Sequence, residues 1–142
     1  MTTARRTRFF FFLNPYADLA FTRCPKCEAK TKQRKLPLVI HIEPQTICVL
    51  NKTCRFCPAC QLVIARQSEI EPMLLAMVDD ERPVIEQGEY LAIGTLDRAD
   101  WRSGQKEQRS PAEVIDRAWG FKDHWNFVVQ GGWRPAHDSS PP

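Results

Sequence analysis

The placement of four cysteines constrains this chain more than anything else in it. Cys24 and Cys27 are separated by two residues, Cys57 and Cys60 likewise, and 29 residues lie between the pairs. Two cysteines so spaced aim both sulfurs at one ion from a tight turn, and a tetrahedral site needs two such turns held together. The pairs share the pattern C-P-x-C, as Cys24-Pro25-Lys26-Cys27 and Cys57-Pro58-Ala59-Cys60. The stretch between them suits a bridge: residues 36–42 read as a strand, Glu43-Pro44-Gln45 as a turn, and residues 46–50 as the returning strand of a hairpin. Pro37 restricts the first strand to a sheet edge or to its own opening residues. Cys54 offers a second, overlapping pair with Cys57, but Pro58 repeats Pro25, which selects Cys57 and Cys60 and leaves Cys54 as a packed or free thiol. Cys48, inside an apolar strand, reads as a small core residue.

Residues 24–60 resemble the zinc-ribbon superfamily, including its rubredoxin-like knuckle proteins. That resemblance implies a three-stranded antiparallel ribbon with an ion held by Cys24, Cys27, Cys57 and Cys60. Rubredoxins share the 29-residue spacing and hold redox iron. Their knuckles carry Gly directly after the second cysteine, where a left-handed turn lets backbone N–H groups reach sulfur, whereas Glu28 and Gln61 stand there in this chain. The basic first half is also unlike those acidic electron carriers. Zinc is therefore the expected cofactor, with rubredoxin-like electron transfer a distant alternative. His41-x-Glu43 ahead of a C-x-x-C resembles the zinc nucleoside deaminases, but His41 lies in a strand pattern and Pro44 follows at once, so it reads as a half-buried strand residue. No phosphate-binding glycine loop or nucleophile elbow is present, and the expectation is a non-catalytic protein.

The formal charge of +3 conceals a division. Residues 1–66 hold 12 Lys/Arg against 3 acids, and residues 67–142 hold 8 against 14. Such asymmetry suggests a polyanionic partner for the basic part. Arg23, Lys26, Lys30, Lys32, Arg34 and Lys35 crowd around the first knuckle, with Lys52 and Arg55 near the second, and these eight are the candidate contacts to nucleic acid or a ribonucleoprotein. Phe21 and Phe56 flank the knuckles as candidate stacking rings. The alternative is an adaptor in a larger complex, docking a protein through the acidic half, where Trp101, Trp119, Trp125 and Trp133 cluster.

With 43% apolar and 26% charged residues the composition is that of a globular protein, and no apolar run nears the roughly 20 residues of a membrane helix. Arg5-Arg6-Thr7-Arg8 before five apolar residues loosely mimics a twin-arginine export signal, but such signals need an apolar stretch of roughly 7–15 residues. The expectation is a strand at 9–13 and a reducing, cytoplasmic setting, in which six cysteines serve metal binding rather than disulfides. The fold expected is α+β, a four-cysteine zinc ribbon followed by a small α+β unit. Its divisions are a basic ribbon module with an N-terminal strand (1–66), a helical connector opened by Ser68-x-x-Glu71 (67–82), an acidic α+β unit (83–134) and a disordered tail (135–142). Within the acidic unit, residues 90–96 and 125–130 read as strands, 97–109 as a polar loop, and Ser110-Pro111-Ala112-Glu113 as the capping box of a helix to about Trp119, closed by Gly120.

Overall fold

The computed structural model describes residues 6–128; the tail at 135–142, Trp133 and the end of the 125–130 strand lie outside them. The dominant element is a hairpin of β3 (Lys32–Ile42) and β4 (Thr46–Cys57), paired in register from Lys32↔Phe56 to Ile42↔Thr46. β5 (Leu62–Arg66) returns from β4, and β2 (Phe10–Asn14) lies parallel to β5 along its whole length. β6 (Tyr90–Thr95) pairs antiparallel with the other edge of β3. Three two-residue strands complete the sheet: β1 (Arg6–Thr7), β7 (Trp119–Gly120) and β8 (Asp123–His124). The order is β1-β7-β6-β3-β4-β5-β2-β8.

The two ends of that order are neighbours in the chain. β1 runs into β2 and β7 into β8, and the two segments lie parallel, with Arg6↔Trp119 and Thr7↔Gly120 at one end and Phe10↔Asp123 and Phe11↔His124 at the other. Between them the Arg8 N–H donates to the Gly120 carbonyl and the Lys122 N–H to the Phe9 carbonyl. The result is an α+β fold built on a half-barrel. The three-stranded ribbon expected from the cysteine spacing is not a separate unit: β3, β4 and β5 are three members of a larger sheet, because β6 and β2 satisfy edges that a ribbon would leave open.

Strand alternation sorts the core. Leu36, Leu38, Ile40 and Ile42 of β3 face the inside, as do Cys48, Leu50, Cys54 and Phe56 of β4, and they pack with Phe9, Phe11, Ala92 and Phe121. Helices α1 (Gln67–Met77) and α2 (Arg82–Glu86) cover this cluster with Ile70, Leu74 and Ile85. The opposite face carries two smaller clusters. One gathers Phe12, Leu19, Phe21, Cys24, Cys57, Leu62 and Ile64. The other joins Val39 and Leu96 to Trp101 of α3 (Arg98–Gly104) and Val114 of α4 (Pro111–Arg117).

Several local expectations are corrected. β3 begins five residues before Pro37 and is flanked on both sides; the proline is accommodated because the β6 ladder starts at Leu38↔Thr95, one residue past it. Residues 97–109 contain α3 rather than a continuous loop, docked through Trp101. Ser110 and Glu113 form the reciprocal capping box, but the helix ends at Arg117, and Trp119–Gly120 is a strand. At Ser68 there is no such box: α1 starts at Gln67, and Glu71 instead accepts from Gln67 and the Tyr90 hydroxyl. Residues 125–128 are not a strand, although the Trp125 N–H still donates to the Phe11 carbonyl. Among the described residues no helix is long and apolar enough to cross a membrane.

Gly94 and Gly120 face each other where β6 meets β7, and a Cβ on Gly94 would collide with the Trp119 carbonyl oxygen, a backbone atom that cannot swing away. Gly94→Ala is expected to destabilise the fold by about 1–3 kcal/mol through this overpacking, read as a lower midpoint in denaturant unfolding with little change in slope.

Candidate metal centre

Each cysteine pair sits on a chain reversal beside the sheet. Cys24 and Cys27 occupy the turns between β2 and β3, whereas Cys57 ends β4 and Cys60 lies in the tight connection to β5. The β3–β4 ladder brings the reversals together, since Lys32 is opposite Phe56 and the first knuckle lies just upstream of Lys32. The four sulfurs all lie within 4.8 Å of one another. Cys24 Sγ is 4.0 Å from Cys60 Sγ, and Cys27 Sγ is 3.5 Å from Cys57 Sγ. A tetrahedron with metal–sulfur bonds of about 2.3 Å has sulfur–sulfur edges of about 3.8 Å, so the donor set fits a single tetrathiolate-bound ion.

The backbone is shaped to the same end. Glu28 and Gln61, the residues after each second cysteine, adopt left-handed conformations with φ of 65° and 59°. Glycine is thus not required for the turn, and its absence no longer separates these knuckles from iron-binding ones. The Lys26 N–H donates to Cys24 Sγ at 3.3 Å and the Cys60 N–H to Cys57 Sγ at 3.4 Å. Without metal, burial pushes the Cys24 thiol up to about 11, while the Ala29 backbone N–H draws Cys27 down. Cys24 and Cys57 are sealed in the Phe12–Phe21 cluster, and Cys27 is exposed.

The remaining cysteines are elsewhere. Cys54 lies three residues before Cys57 on β4, so its side chain leaves the opposite face, into the main core, with its thiol directed at the Lys52 carbonyl. Cys48 is in the same core, and His41 Nδ1 is 3.7 Å from Glu43 rather than at the cysteines.

The eight cations singled out in the sequence divide into two groups. Lys52 is buried and holds Glu69 at 2.7 Å. Arg55 donates to both the hydroxyl and the carbonyl of Thr31, and Arg23 donates to the Glu28 carbonyl beside the first knuckle. Lys26 lies over the Trp125 ring. Lys30, Lys32, Arg34 and Lys35 are exposed and make no ion pair among the described residues. Sequence reasoning passed over Arg8 and Arg98, which the fold places beside Arg34 and Lys35; the only signal for Arg8 lay in a basic run that reads as an export-signal mimic. Phe21 is buried and Phe56 belongs to the core, and Trp101, Trp119 and Trp125 are each half-buried in packing contacts. No family model, curated protein or solved structure matches the chain, so the reading of this centre rests on its own geometry.

Cys24→Ser and Cys57→Ser are each expected to abolish stoichiometric metal binding and to loosen the Phe12–Phe21 cluster, whereas Cys48→Ser and Cys54→Ser keep full metal content; elemental analysis of the purified variants checks both. Because the ligands bind as thiolates and Cys24 is held protonated in the metal-free chain, metal uptake should release protons and affinity should fall as pH is lowered. A metal titration in weak buffer measures the released protons directly.

Proposed function

We propose that this chain is a zinc-binding, non-catalytic protein whose ion fixes the two knuckles and whose basic β3 surface contacts nucleic acid, alone or within a ribonucleoprotein. The observation that carries the metal half is the convergence of four sulfurs at tetrahedral spacing. Zinc suits a site with no open ligand position, since a redox-inert ion needs only the four thiolates. Elemental analysis decides the metal, and a red protein containing iron would replace zinc with an electron-transfer centre.

The nucleic-acid half is supported by Lys30, Lys32, Arg34 and Lys35, four exposed cations on one short segment with no carboxylate against them among the described residues. Charges left unpaired at a surface gain by displacing counterions from a phosphate backbone. Their contacts would be to phosphate rather than base edges, so binding should be largely indifferent to sequence.

Replacing Lys30, Lys32, Arg34 and Lys35 with Glu is expected to leave metal content intact and to weaken binding to mixed RNA and DNA. The dependence of log affinity on log salt should flatten by about 0.7–0.9 for each phosphate that is no longer neutralised. An unmodified protein with no affinity for either polymer at low salt would sink this half of the reading.

A further inference from the structure

A second group of cations gathers away from the knuckle, at the sheet's open mouth. β6 stops pairing with β3 at Thr95↔Leu38, so residues 32–36 of β3 have no β6 partner, and the chain beyond Thr95 turns into α3. A cleft of about 250 Å³ opens there, lined by Arg8, Arg34, Lys35, Asp97 and Arg98. Arg8 holds Asp97 at 3.1 Å and donates to the Thr95 hydroxyl. Asp97 also accepts from the Trp119 ring N–H and faces Arg6 at 3.9 Å, so the cleft's one carboxylate is already shared. Arg98 donates to the Lys35 carbonyl, which carries no charge to offset it. Arg34, Lys35 and Arg98 make no ion pair among the described residues.

The cations are positioned rather than loosely tethered. Phe9 and Phe56 form an edge-to-face pair with centroids 5.2 Å apart. The Arg34 guanidinium lies over both rings, at 5.3 and 4.8 Å from their centres, and Arg8 lies 5.0 Å from the centre of Phe9. Two guanidiniums therefore share one ring, an arrangement that their mutual repulsion opposes. Burial and the charges of Arg34 and Arg6 depress the Arg8 pKa against the pull of Asp97. Phe9 itself takes a left-handed φ of 68°, unusual for a bulky side chain. Like charges gathered at one recess are what an anion would relieve.

We infer that this cleft takes a phosphodiester of single-stranded nucleic acid, with Arg34 and Arg98 as its principal contacts and Lys35 at the rim. The inference rests on the nucleic-acid reading above and narrows it from a basic face to one recess. A flexible strand can lower a phosphate into a space of this size, whereas a duplex would meet only the rim.

The test uses the full-length, metal-loaded protein and fluorescently labelled single-stranded RNA and DNA of mixed sequence, with the matching duplex, at low and moderate salt. Arg34→Gln and Arg98→Gln should each weaken single-strand binding about tenfold and lower the salt slope by about 0.7. Lys106→Gln, a control away from the cleft, should change neither. Metal content and unfolding midpoint are measured on each variant. Should Arg34→Gln shift the midpoint, Arg98→Gln at the exposed start of α3 decides the matter. If both variants bind as the parent does while the four-residue reversal still weakens binding, the recess is wrong and the basic face stands. If the parent binds no nucleic acid, both fall. Tighter binding to the duplex, or equal competition by a free mononucleotide at matched phosphate concentration, overturns the assignment to a strand.

Discussion

The β3–β4 ladder sets Lys32 opposite Phe56, so the turns at either end of the intervening chain arrive side by side and the four thiols meet. The same ladder presents Leu36 to Ile42 and Cys48 to Phe56 as one inner wall, against which α1 and α2 settle. A one-residue slip would move every inward side chain outward and carry Cys57 to the wrong face. Metal binding and sheet register would therefore reinforce each other. An ion held by the four cysteines would clamp the ladder's end, and the ladder's length fixes where such a clamp can form.

What was legible in the sequence was local. The C-P-x-C turns, the hairpin between them and the Ser110 capping box each involve a few adjacent residues whose chemistry admits few conformations. Two identical capping patterns had different outcomes because only one follows a loop. Ser110 follows the turns after α3, whereas Ser68 is entered straight from β5, so the helix has begun before the serine can cap it. The parallel alignment of β1 and β2 with β7 and β8 was not legible. It joins segments more than a hundred residues apart through strands too short to show a period, and its stability comes from tertiary contact. α3 was missed for a related reason: seven polar-rich residues hold their helix by docking Trp101, not by propensity.

At the centre itself, residue identity proved a weaker guide than backbone position. The absence of glycine after each second cysteine counts against a left-handed turn, yet Glu28 and Gln61 both adopt one. The cost to a residue with a Cβ is modest beside what closing the site returns, and the Gln61 carbonyl also accepts the Phe10 N–H, tying the second knuckle to β2. The choice between Cys54 and Cys57 likewise turns on strand parity. Because β4 continues unbroken to Cys57, residues three apart must leave opposite faces, and only Cys57 reaches the knuckle side.

Strand parity also bears on why the first half is so basic. A tetrathiolate around a divalent ion carries a formal charge of −2, and cations beside it need no further purpose than to offset it. Arg23 and Lys26 fit that account, since both belong to the first knuckle and the Arg23 guanidinium bonds the Glu28 carbonyl within it. Arg34 does not. It lies on the same face of β3 as Leu36 and Leu38, over the Phe9 and Phe56 rings, while the adjacent Cys57 leaves β4 on the other side of the sheet. Arg8 is directed to Asp97 and Thr95 at that same mouth. Compensation of the thiolates would not require cations on the far face. The two groups of charge thus answer different demands. One lies beside the four thiols, where it would offset the charge of their thiolates around an ion, and the other gathers where the sheet is open and unpaired.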